Sequence, residues 1–87
     1  MLTRNEVADL VGPFNMELIE KWLERGDGVA VYRNMDLGHP EVGRVQAVSF
    51  GSPAAQLETN DPPETMPDIG GAINWRYQLV GTYREGS

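Results

Sequence analysis

The sequence predicts an α+β fold: an N-terminal helical hairpin packed on a small, curled, antiparallel sheet. Three observations point there. Apolar residues recur at helical spacing as far as Gly26, strand-like runs begin at Gly28, and a strictly alternating stretch, INWRYQLVGTY, occupies residues 73–83. With 87 residues the chain holds one hydrophobic core's worth of sequence, so 1–87 is read as a single domain. Within it, 1–26 forms the hairpin, 28–50 and 72–84 supply strands, and 51–71 is a long loop.

Thr3 and Glu6 have the spacing of a capping box, with Leu2 and Val7 placed as a hydrophobic staple around the same helix start. Val7, Leu10 and Val11 continue at helical spacing, and Gly12-Pro13 ends the first helix. A second helix is expected after Asn15, a good N-cap. Leu18, Ile19, Trp22 and Leu23 form its apolar face, and Gly26 closes it. Helices this short do not persist alone, so both must pack on something. Val29 to Arg33 reads as a strand ending at the polar turn Asn34-Met35-Asp36, and Arg44 to Phe50 reads as the next. Residues 51–71 then contain Pro53, Pro62, Pro63, Pro67, Gly70 and Gly71. A connection of that length in so small a domain is exceptional.

In the stretch that follows, successive side chains point to opposite faces. Ile73, Trp75, Tyr77 and Leu79 share one face; Asn74, Arg76, Gln78 and Val80 share the other. Burying a large apolar side chain is worth roughly 1.5 to 3 kcal/mol, so the first set is expected in the core, covering the helices. The second set is expected outward, with Arg76 and Arg84 forming a ridge joined by Arg33 or Arg44 and flanked by Tyr32 and Tyr83.

The net charge of −6 counts against nucleic acid as a partner, because sequence-independent binding depends on a basic face, although a local basic patch is compatible with an acidic chain. The absence of cysteine excludes disulfides, zinc fingers, iron–sulfur clusters and thiol catalysis, and fits a reducing, cytoplasmic setting. No apolar run reaches the roughly 20 residues that span a bilayer, so no membrane partner is expected.

Catalytic constellations are missing. Asp36, His39 and Glu41 are donors of suitable type for a divalent metal, but their spacing describes a turn equally well, and no metal or cofactor is expected. Ser49, Ser52 and Ser87 lack an elbow motif, and no Gly-Lys-Ser/Thr follows the glycines. The chain is therefore read as a non-enzyme. The loop is more suggestive: Glu58, Asp61, Glu64 and Asp68, with Met66 beside them and no basic residue among them, form an acidic segment suited to a partner surface.

Two resemblances accompany this reading. GVAVYR, a glycine-bearing turn, GRVQAVSF, a long loop and NWRYQLVG together resemble a small SH3-like barrel, with Gly43, Arg44 and Val45 matching its rhythm. LTRNEVADLVG followed by IEKWLERGDGVAV is similar to the opening of excisionase-type winged helix-turn-helix domains. That likeness is carried by Leu2, Thr3, Val7, Ala8, Gly12, Trp22 and Gly26, and it implies DNA binding. Glu17, Glu20 and Glu24 on the would-be recognition helix oppose insertion between phosphate chains. The preferred function is a small adaptor or inhibitor of the phage or mobile-element accessory kind. Its partner is a protein, bound through Glu58, Asp61, Glu64, Met66, Asp68, Arg76 and Arg84; a sheet edge leaves homodimerisation open.

Overall fold

The computed structural model describes residues 1–51, 62–67 and 73–85. Their elements are α1 (Arg4–Val11), α2 (Pro13–Glu24), β1 (Gly28–Asn34), β2 (Val45–Phe50), β3 (Thr65–Pro67) and β4 (Ile73–Tyr83). The arrangement is α+β: two helices on a curled antiparallel sheet of strand order β2-β1-β4-β3.

The capping box forms as expected. The Thr3 hydroxyl accepts the Glu6 N–H at 3.1 Å, and the Glu6 carboxylate accepts the Thr3 N–H at 2.9 Å. The Thr3 backbone N–H, and after it the Thr3 side chain, hold the Glu6 carboxyl below its ordinary value of 4.5. The start of α2 departs from expectation. Asn15 is not its cap but lies inside its first turn, where its amide donates to the Val11 carbonyl at 2.9 Å. Gly12, at φ 84°, ends α1 and begins α2: its N–H donates to Ala8, and its carbonyl accepts from Met16. Pro13 follows at the first helical position, where a fixed φ is favourable and a missing N–H is no loss.

β1 runs between β2 and β4 and is covered on both faces, which is why nearly all of it is buried. On the helix side, Val7, Met16, Ile19 and Leu23 pack with Val29 and Val31, with Leu2, Trp22, Val45, Ala47 and Tyr83 around them. On the other side, Ala30, Tyr32, Met66 and Tyr77 pack with Val48, Phe50 and Leu79. β3 lies within the stretch expected to be loop. Three residues are too few to show alternation; what holds them is Met66 in the second core and the Leu79 N–H donating to the Glu64 carbonyl at 2.7 Å.

The register between β1 and β4 shifts where Val31 pairs with Gly81 while Tyr32 pairs with Leu79, leaving Val80 as an extra residue. Such a bulge exchanges the two faces for everything beyond it. Gly81 and Tyr83 therefore turn to the helices, and a Cβ on Gly81 would meet Leu2 at 2.7 Å. Upstream, Tyr77 and Leu79 sit on the face away from the helices. The expected core stripe is corrected accordingly. Tyr77 is buried and Leu79 half-buried, but Ile73 is 66% exposed and Trp75 61%. The cause is length: β4 pairs with β1 only from Tyr77 to Tyr83, so Ile73–Arg76 overhangs the central strand beyond the reach of either helix.

Tyr32 ties this sheet to the segment before β3 by donating its hydroxyl to the Pro63 carbonyl at 2.9 Å. Burial pushes its phenol above the ordinary value of 10.0. The raised value favours the neutral form, so its contribution to stability is full below about pH 10 and falls as pH rises through the folded value. Tyr32→Phe is expected to lower stability by about 1 kcal/mol at neutral pH. It should also flatten the decline above about pH 10, measured by urea unfolding at pH 7 to 11.

Candidate functional site

Beyond the end of β1 the chain makes a braced loop, residues 35–44, beside the overhang of β4. Asn34, itself buried, is its pivot. The Asn34 N–H donates to the Arg44 carbonyl and the Gly43 N–H donates to the Asn34 carbonyl, with Gly43 at φ 85°. This is a glycine bulge, in which residue 43 must adopt a conformation that glycine alone tolerates easily. The Asn34 side-chain oxygen accepts the Asp36 N–H at 2.9 Å. Its amide lies 3.4 Å from His39 Nδ1, which also accepts the Glu41 N–H at 3.1 Å. With Nδ1 accepting, the ring proton is on Nε2.

The acids of this loop are used in the same way. Asp36 accepts the Gly38 N–H with one oxygen and meets Arg76 Nε at 3.3 Å with the other. Glu41 takes Arg44 at 2.7 Å and the Tyr77 hydroxyl at 3.3 Å. Asp36, His39 and Glu41, the three weighed as metal donors, thus brace the loop separately. Among the described residues no cluster of three such groups is disposed to hold a metal ion.

What this bracing presents is apolar. The Met35 N–H donates to the Arg76 carbonyl at 2.6 Å, stitching the start of the loop to the strand next to Trp75. Met35 is exposed, Leu37 is 92% exposed, and Val42, Ile73 and Trp75 are also exposed. The Arg76 guanidinium lies 5.1 Å from the centre of the Trp75 ring while Asp36 holds its Nε. A tryptophan fixed by a cation–π contact and left open to solvent is the type of side chain on which binding energy concentrates.

The residues expected to contact a partner scatter. Glu58, Asp61 and Asp68 lie outside the described residues. Glu64 is exposed beside β3, whereas Met66 is buried against Tyr32 and Tyr77. Arg84 donates to the Gly26 carbonyl at 2.8 Å and lies over the Phe50 ring at 5.3 Å. The expected ridge of Arg76 and Arg84 does not form. The Val80 bulge puts them on opposite faces, and they stand eight positions apart, about 25 Å along extended chain. Tyr32 is buried, Tyr83 packs toward the helices and Arg44 is bound by Glu41, which leaves, of the proposed neighbours, Arg33, half-buried and paired with Gln78. Ile73, Trp75, Met35 and Leu37 are the residues that sequence reasoning missed. The signal for them was the length of the alternating stretch, which exceeds any neighbouring strand able to cover it.

Among the described residues no helix is long and apolar enough to cross a membrane. No protein-family model, curated protein or solved structure matches the chain, so neither the SH3-like nor the helix-turn-helix resemblance gains a relative.

Proposed function

We propose that this chain is a non-enzymatic interaction module, an adaptor or inhibitor, that docks a protein partner on the Ile73–Trp75 end of its sheet. The observation that carries the reading is Trp75: large, exposed, and held in place by Arg76 and Asp36 instead of being folded away. Contiguous apolar surface on a soluble domain marks an interaction site more often than an accident of packing. Ile73 shares the face of Trp75, and the exposed Met35 and Leu37 lie on the loop that the Met35 N–H ties to the neighbouring Arg76. Asp36, bonded to Arg76, places a carboxylate beside it, and the exposed Glu41 lies on the same loop. The complementary partner is a protein with an apolar pocket bordered by lysine or arginine, for which the acidic balance of the whole chain assists encounter.

The test is site-specific photo-crosslinking in cells of the source organism. A photoreactive phenylalanine derivative at Ile73 is expected to trap one discrete protein, while the same probe at exposed Asp9 on α1 traps none. Equal labelling from both positions, or none from Ile73, sinks the reading.

A further inference from the structure

The 35–44 loop and the strand beside it are held by side chains that accept the backbone N–H two residues further on. The Asn34 oxygen takes the Asp36 N–H, Asp36 Oδ1 takes the Gly38 N–H at 3.0 Å, and on β4 Asn74 Oδ1 takes the Arg76 N–H at 3.2 Å. Asparagine and aspartate commonly make this bond. At position 39 the acceptor is a ring nitrogen instead: His39 Nδ1 takes the Glu41 N–H at 3.1 Å. His39 is the chain's single histidine. The difference lies in what a proton does to each kind of acceptor. An amide oxygen does not titrate, and carboxyl groups ordinarily do so near 4, whereas histidine changes its charge between about pH 5 and 8.

A protonated imidazole donates from both nitrogens and accepts at neither. The Glu41 N–H would then face a donor, and so would the Asn34 amide, 3.4 Å from the same Nδ1. Turning the Asn34 amide over would offer its oxygen to the ring, but that oxygen is what holds the Asp36 N–H. Asn34 is 1% exposed, so its side chain has no ready exchange of a lost bond for water. The backbone of His39 belongs to the same brace: its N–H donates to the Asp36 carbonyl, and its carbonyl accepts the Val42 N–H, both at 3.0 Å. Electrostatics act in the same direction. The loop carries Asp36, Glu41 and Arg44, β4 brings Arg76 and Tyr77, and β1 contributes the uncharged Asn34. Asp36 is bonded to Arg76, and Glu41 to Arg44 and the Tyr77 hydroxyl. An imidazolium therefore arrives as a further cation beside carboxylates already in use.

We infer that His39 makes the 35–44 loop sensitive to pH, braced while the ring is neutral and loosened when it is protonated. The sign follows from the bonding: the support is present above the histidine range and is lost as pH falls through it. Met35 and Leu37 ride on this loop, and Asp36 reaches Arg76 from it, so acidification also loosens the footing of the Trp75 end. A pH effect on docking rests on the function proposed above; the loosening itself does not.

The experiment is amide–water exchange followed by NMR on the free, intact protein from about pH 8 to pH 5, each rate taken relative to an unstructured peptide at the same pH. Protection of the Glu41 and Asp36 amides is expected to fall about three- to tenfold on acidification, the fold-change of one lost neutral hydrogen bond. Protection of Val31, in the central strand, should hold. His39→Asn supplies an oxygen at the same offset that does not titrate, and should keep the loop protected throughout. His39→Ala should leave it unprotected throughout. Protection in the parent that ignores pH, a decline that persists in His39→Asn, or full protection in His39→Ala overturns the proposal. No partner enters the measurement, so its failure leaves the Trp75 reading standing, and a missing crosslink from Ile73 leaves this one standing.

Discussion

Trp75→Ala is expected to weaken partner binding by about 2 to 4 kcal/mol, roughly 30- to 1,000-fold in Kd, while leaving the fold in place. The indole is largely in solvent, so removing it opens no cavity. The stability lost is the stacking with Arg76, about 0.5 to 1 kcal/mol at an exposed site. Binding is affected far more because a rigid aromatic side chain that fills a partner's pocket loses little conformational entropy on docking. Calorimetric titration against the protein trapped by crosslinking, with urea unfolding alongside, separates the two quantities. Unchanged affinity in a folded variant would show that the partner docks elsewhere.

Two residues along the same strand, the opposite result is expected. Tyr77→Ala should destabilise the protein by about 3 to 5 kcal/mol, a large part of the roughly 5 to 10 kcal/mol available to a domain of this size. Tyr77 is only 4% exposed, packs with Tyr32 and Met66, and faces Asn34 across the sheet. Truncation leaves a void that neither the central strand nor the short β3 can close. Tyr77→Phe should lose less than about 1 kcal/mol, because it keeps the ring and gives up only the long bond to Glu41. Urea midpoints of the two variants decide the matter. An alanine variant as stable as the parent would mean that the ring is not packed as described.

Local patterns told a good deal of this in advance. The capping box at Thr3 and Glu6, the terminating Gly26 and the strands around Val31 and Val48 follow from residue spacing, because each is decided within a few neighbours. Asn15 misled because a good capping residue competes with a proline that is better still at a helix start. The opening stretch misled for a deeper reason. Alternation says which side chains share a face, but not whether anything lies over that face. That depends on where the neighbouring strand stops, which is Asn34, and on which face the helices occupy. Arg76 and Arg84 were placed together by the same counting, which takes a strand to be regular; the bulge at Val80 makes it irregular. Nothing about valine at that position announces a bulge.

That bulge has a consequence for what one strand can hold. Upstream of Val80, β4 carries the exposed Ile73 and Trp75; downstream, Gly81 and Tyr83 fit against the helical layer. In an unbroken strand a shift of pairing that re-aimed one end would invert the other. With the extra residue absorbing the offset, the two halves are mechanically uncoupled. Tyr77 and Leu79 can then be held on one face and Gly81 and Tyr83 on the other, while Ile73 and Trp75 carry neither constraint. A single inserted residue lets one strand serve two cores on opposite faces of the sheet.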